Sequence, residues 1–366
     1  MTARIHFLSV SARAFRNLSL VEFEPAAGLN VISGDNGQGK TSLLEALYFL
    51  AVTRSFRAEK LEALIQDGQE FASVRGRIQD GDHVREQRAT IGHKERSVLL
   101  DGKKPERLAS YATRTPAVVF HPGDLELVNA NATARRKLLD RIALYVDPSS
   151  GDARLRYTRA SRERKVALES RGPSARDLEA FELVMAEHGA RFARARAEAA
   201  ARLLAALQPA FASMADPGLL LRARYKAGGT EDPTEFAREL SARRGRDARQ
   251  RSVSFGPQRD EIELSVDGRS ARHHASQGQQ RILTLSLKVA ELECVREARR
   301  AHPVLLLDDV SSELDPARTG AVYSFLRETA SQVFVTTTRP ELFPTPGASN
   351  LERADWQLVS GALRRL

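Results

Sequence analysis

Apolar positions along this chain recur with two different periods, and the change of period divides it. Residues 4 to 33 read as short strands, Ile5–Val10, Leu20–Phe23 and Leu29–Ile32, broken at Asn17 and at Pro25–Gly28. A helical period follows from about Lys40, and a shorter apolar-periodic segment, Leu61–Ile65, closes at Gly68. Residues 71 to 100 alternate apolar and polar, with turn signals at Asp80-Gly81, Gly92 and Asp101-Gly102, which predicts an antiparallel meander. Ala117–Phe120 reads as a buried strand that His121-Pro122-Gly123-Asp124 stops.

Beyond it the pattern lengthens. Ala, Leu, Arg and Glu dominate residues 133 to 211, and three helices are expected near 133–146, 152–171 and 175–211, separated by Asp147–Gly151 and Gly172–Ser174. Strand character returns at Leu219–Tyr225, followed by a helix that starts near Asp232 or Thr234. A helical period at Ile282, Leu285, Leu287 and Val289 precedes two buried strands, His302–Asp309 and Val333–Val335. The reading is an α/β protein: a discontinuous head of residues 1–125 and 250–366, with a mixed sheet and a flanking antiparallel meander, and a helical arm lobe, 126–249, inserted in it.

At 366 residues the chain is long enough for two such domains. Its 56 basic against 47 acidic residues give a net charge of +9, which favours a polyanionic partner such as nucleic acid. The single cysteine, Cys294, cannot form an internal disulfide, and its apolar helical setting predicts a reduced core thiol. The first residues lack the apolar core of a secretory signal and no apolar run approaches membrane-spanning length, so a cytoplasmic protein with no membrane partner is expected.

The chemistry starts where the strand Leu29–Ser33 breaks into Gly34-Asp35-Asn36-Gly37-Gln38-Gly39-Lys40-Thr41 and reopens as a helix. Glycines let the backbone curl so that successive N–H groups face an anion, and the helix start adds its positive end. Lys40 then reaches the β and γ phosphates of a nucleotide, and the Thr41 hydroxyl holds Mg²⁺. The apolar run Val304–Leu307 ends in two carboxylates; Asp308 is placed to hold the Mg²⁺ through water and Asp309 to orient an attacking water. Ser276 and Gln279 are spaced as a helix capping box, which by itself needs no ligand, yet Gly278 stands 30 residues ahead of Asp308 and Ser311–Asp315 follows at once. Arginines 54 and 57 and the arm's Arg135, Arg136, Arg154, Arg156, Arg159, Arg162, Arg164 and Arg243 to Arg249 suit phosphate neutralisation, although the 154–165 set winds around its helix, as a solvated face does. Without interleaved aromatics, backbone rather than base recognition is expected.

This order of motifs resembles the ABC-type ATPase heads, including those of the structural maintenance of chromosomes family, and within them the RecF family of bacterial DNA replication and repair proteins. The resemblance also runs through Arg54–Arg57, Val119–Leu125, Arg135–Asp140, Gly256–Asp260, Ser276–Arg281 and Leu307–Val310. It implies an ABC-type head whose protomers face each other head to tail, with ATP on the loop of one capped by Ser276, Gln277, Gly278 and Gln279 of the other. The function it implies is an ATP-dependent homodimer that binds single-stranded or gapped DNA or its junction with duplex, supports replication, recombinational repair and SOS induction, and loads recombinase together with RecO and RecR. Asp309 stands where most such heads carry Glu, one methylene longer, so a weak ATPase, stimulated by DNA and used as a switch, is expected. Thr336–Thr338 occupy the place of the usual switch histidine. The alternative is the nucleotide-binding subunit of a transporter, for which loop, signature and carboxylate strand serve equally well.

Overall fold

The computed structural model describes residues 3–93, 95–309, 330–343 and 352–366. Its elements begin with β1 (Ala3–Phe15), β2 (Leu18–Phe23), β3 (Leu29–Ser33), α1 (Lys40–Val52), β4 (Phe71–Asp80), β5 (His83–Gly92), β6 (Arg96–Leu100), α2 (Leu108–Ala112) and β7 (Ala117–Phe120). There follow α3 (Glu126–Asn129), α4 (Ala132–Val146), α5 (Ser150–Arg171), α6 (Leu178–Ala212), β8 (Leu221–Lys226), α7 (Pro233–Ala242), α8 (Arg244–Gln250), β9 (Glu261–Val266), β10 (Arg269–Ser270) and α9 (Ala271–His274). The chain closes with α10 (Gln277–Arg299), β11 (Ala301–His302), β12 (Val304–Asp308), β13 (Gln332–Thr337), β14 (Arg353–Val359) and β15 (Ala362–Arg365). Two compact units result, Met1–Asp124 with Val295–Leu366, and Leu125–Cys294.

In the first unit one sheet has the order β15-β14-β3-β13-β12-β7, parallel except for the β14–β15 hairpin. Its central strands are buried along their length, as a sheet covered on both faces requires. Register sets Asp308 beside Thr336 and Ser33 beside Thr337, which gathers the carboxyl ends of β3, β13 and β12 on one edge, the edge at which open α/β sheets bind ligands. The second sheet is the expected meander, β2-β1-β4-β5-β6, antiparallel throughout, with β11 added parallel to β1. Helix α1 is apolar nearly all round because it touches strands of both sheets. Gly76 lets β4 lie close to it: a Cβ at that position would stand 2.8 Å from Leu50 Cδ2, which would have to shift.

The second unit packs α4 against α6 and α5 against α6, with a three-stranded sheet β10-β9-β8. Here the expected boundary moves. Residues 250–294, assigned from sequence to the head, belong to the helical unit, because β9 pairs with β8 and Ile282, Leu283, Leu287 and Cys294 of α10 share one core with Leu138, Ile142, Leu203 and Leu207. Cys294 is buried and unbridged, as expected. The arm arginines divide: Arg156, Arg159 and Arg162 are exposed, while Arg135 and Arg164 are buried in ion pairs that charge pattern alone does not disclose. Segment Leu61–Ile65 forms a single 3₁₀ turn, Leu61–Leu64.

Candidate functional site

The loop between β3 and α1 takes its shape from its glycines. Gly34, Gly37 and Gly39 have φ of 151°, 82° and 109°. These values favour glycine, and at Gly34 a side chain is also excluded, since a Cβ would meet the Leu358 carbonyl oxygen at 2.4 Å. Around Gly37 the space is open. Gly39 caps α1 with no side chain, so the first-turn N–H groups of Lys40, Thr41 and Ser42, which have no intrahelical acceptor, form the positive end of a 13-residue helix. Lys40, 8% exposed, folds back over the loop and donates to the carbonyls of Gly34 at 2.7 Å and Asp35 at 2.9 Å. Gln38 points the other way: its carbonyl accepts from Gly361 N and its side-chain oxygen from Ser360 N, which ties the loop to the β14–β15 turn.

The loop meets the carboxylate strand at Thr41. Thr41 Oγ1 donates to Asp308 Oδ1 at 2.8 Å, and Thr336 Oγ1 donates to the same oxygen at 2.8 Å. Burial pushes the Asp308 carboxyl above the usual range, against the pull of the two hydroxyls and of His121 and Arg57. Asp309 turns out of the strand with φ 49°, its N–H donating to Thr336 Oγ1 at 3.1 Å. A left-handed conformation at a non-glycine residue is a cost that clusters at functional positions.

These groups open on a cavity of about 680 Å³ lined by Asn36, Gly37, Gly39, Lys40, Thr41, Asp308 and Asp309 from the expected set, and by Arg57. Arg54 is not among its lining residues. Sequence reading missed Arg16, Asn17, Gln66 and Asp67 on the same wall. Arg16 is held by a bidentate pair to the fully buried Glu45 of α1 at 2.9 and 3.1 Å; Glu45 also accepts from the Ser55 hydroxyl, whose oxygen takes the Arg57 N–H at 2.9 Å. A buried glutamate inside an apolar helix was the available signal for these partners. Hydroxyl and carboxylate oxygens beside an open glycine cradle fit a hard divalent cation with a polyphosphate.

In the second unit the capping box forms as the spacing predicts. Gln279 N donates to Ser276 Oγ at 3.2 Å, and Ser276 N to Gln279 Oε1 at 2.9 Å. The N–H groups of Gln277 and Gly278, first in the helix, have no intrahelical acceptor, and all three of Ser276, Gln277 and Gly278 are exposed. The expected D-loop, Ser311–Asp315, lies outside the described residues.

Residues 7–351 match the family model of the RecF/RecN/SMC N terminal domain. The chain is 39% identical over 342 residues to the DNA replication and repair protein RecF of Anaeromyxobacter sp. (strain Fw109-5), covering 90% of this chain and 92% of that one. It is 38% identical to the RecF of Myxococcus xanthus (strain DK1622), covering 91% of each. Among solved structures it is similar to the recombination mediator protein RecF with ATP in the RecFOR pathway, at TM-score 0.86 and 26% identity over 99% of this chain and 98% of that one. A similarity to an Smc head bound to the C-terminal winged helix domain of ScpA, TM-score 0.52 at 15% identity, bears on the fold alone.

Proposed function

Because the chain belongs to the RecF family of DNA replication and repair proteins, we propose that it is an ATP-gated DNA-binding clamp. The transporter alternative falls with that membership. One observation carries the reading: the Thr41–Asp308 hydrogen bond, which brings the phosphate loop and the carboxylate strand to one point beside an open cavity.

Lys40 exchanges its two loop carbonyls for the β and γ phosphates of ATP, an exchange of neutral acceptors for charged ones. Thr41 and Asp308 hold Mg²⁺, which when bound neutralises phosphate charge. Asp309, turned toward the cavity by Thr336, orients the attacking water, and its short side chain makes the turnover slow. The capped start formed by Ser276, Gln277, Gly278 and Gln279 leaves the N–H groups of Gln277 and Gly278 without an intrahelical acceptor on exposed residues, suited to the γ phosphate held by a second copy of the chain. ATP then joins two protomers and hydrolysis parts them. On this reading the dimer works in the cytoplasm on single-stranded or gapped DNA or its junction with duplex, with RecO and RecR, in recombinase loading, replication and SOS induction. No helix among the described residues is long and apolar enough to cross a membrane.

Ser276→Arg tests the arrangement. The variant should bind ATP in equilibrium titration as the parent does, yet remain monomeric with ATP in sedimentation. A variant that dimerises normally rules out capping across the dimer.

A further inference from the structure

The outward face of the antiparallel sheet sets like charges side by side. On β4, alternate residues Ala72, Val74, Gly76 and Ile78 are buried, which turns Ser73, Arg75 and Arg77 outward. Arg75 pairs directly with Arg88 of β5, one strand spacing of about 4.8 Å away, an arrangement that weakens a sheet. Glu86 accepts from Arg75 at 2.8 Å and approaches Arg88 at 4.0 Å, so a single carboxylate serves both guanidinium groups. Arg77 stands across from that same Glu86, and Arg13 of β1 faces outward beside Ser73. Outward positions of these strands thus carry Arg13, Arg75, Arg77 and Arg88 against Glu22 and Glu86. Small hydroxyls at Ser11, Ser73 and Thr90 fill the ladder between them, and the exposed apolar Leu20, Phe71 and Val84 stand toward its margins.

A local rule broken with one shared carboxylate to offset it inside the fold points to a further partner outside it. We propose that this face, centred on Arg75 and Arg88, binds the phosphodiester backbone of nucleic acid. The proposal rests on the DNA-binding reading above and adds the surface that carries it. Two exposed arginines, 51% and 42% by side chain, on a rigid sheet hold their charge in fixed register and lose little freedom on binding. Phosphates would take the place of the second carboxylate the ladder lacks. Glu22 and Glu24 border the groove that Arg75 and Arg77 line, which confines the anion to the β4–β5 side. The middle of the face has no aromatic side chain, so it reads backbone rather than bases.

The test uses the full chain with ATP and Mg²⁺, labelled duplex and single-stranded oligonucleotides, and anisotropy across a salt series. Arg75→Ala with Arg88→Ala should lower the slope of log affinity against log salt by about 2 and weaken binding at least about tenfold near 0.1 M salt. Glu86→Gln should tighten binding. ATP titration, ATP-dependent sedimentation and the thermal midpoint should stay at parental values. Parental affinity and slope in the double variant overturn the surface while leaving DNA binding intact, and a loss of DNA binding that comes with loss of self-association overturns it too. A parent protein that binds neither oligonucleotide overturns the DNA reading itself. Weakening confined to duplex or to single strand identifies which of the two the face holds.

Discussion

Asp308 in the head and Arg196 in the helical unit are buried to nearly the same depth, 5% and 4% exposed, yet their surroundings oppose each other. Asp308 takes hydrogen bonds from the hydroxyls of Thr41 and Thr336, and burial raises its pKa. Burial acts against the Arg196 charge as well, but Asp140 at 2.7 Å and Asp260 at 3.0 Å outweigh it and raise the pKa, so the charge is favoured where it stands. Arg164 is likewise held between carboxylates, fully buried beside Glu182 at 2.9 Å and Asp247 at 2.7 Å. A buried charge matched by opposite charges is part of the scaffold. One matched by hydroxyls beside an open cavity keeps a desolvation cost inside the fold, which on the proposed reading a bound cation would offset.

The largest effect expected from this contrast is structural. Arg164→Ala takes the charged partner from the buried Asp247 and one of two from Glu182, which keeps Arg244, and should cost about 3–5 kcal/mol in urea unfolding. A loss below about 1 kcal/mol would break the comparison. Lys40→Ala acts on the other side. It should weaken ATP binding by about 3 kcal/mol, roughly a hundredfold, with little change in unfolding midpoint. Equal ATP affinity by titration would remove the loop from the site.

A pH series separates the two kinds of charge with a smaller effect. Burial alone would raise Glu291, but the charges of Arg141 and Lys288 and their hydrogen bonds hold it down at about 2. A carboxylate depressed in the folded state contributes stability above its unfolded pKa of about 4.5 and loses it as pH falls toward about 2. The parent should therefore lose stability across that window, and Glu291→Gln should flatten that part of the curve. An unchanged acid limb would show that the Arg141–Glu291–Lys288 cluster does not stabilise the unit.

The same contrast explains what the sequence made legible. Gly34–Thr41 and Val304–Asp309 were readable because each acts through contiguous backbone: glycines that permit a curl, and an apolar run that ends in carboxylates. The capping box was readable because its two bonds span three residues. Partners brought in by tertiary packing were not. Thr336 is 28 residues from Asp308, Arg16 is 29 from Glu45, and Asp247 is 83 from Arg164, and no period encodes such pairs. The boundary near residue 250 failed for a related reason, since β9 has the alternation of a head strand, and its pairing with β8 and its place in the core of the arm helices assign it to the helical unit.

Asp308→Asn is the smallest change and the closest test of the comparison. The amide keeps an oxygen to accept from Thr41 and Thr336, and its nitrogen replaces an oxygen at the cavity, so no hydrogen bond of the scaffold needs to be lost. Removing the charge removes a desolvation cost that hydroxyls only partly offset. Stability without nucleotide should stay level or rise by up to about 1 kcal/mol in thermal unfolding, the usual direction when a functional group is neutralised. Mg²⁺-dependent ATP hydrolysis should be lost in the same protein. A fall of more than about 1 kcal/mol would make Asp308 a scaffold charge like Arg164, and the division between the two units would no longer hold.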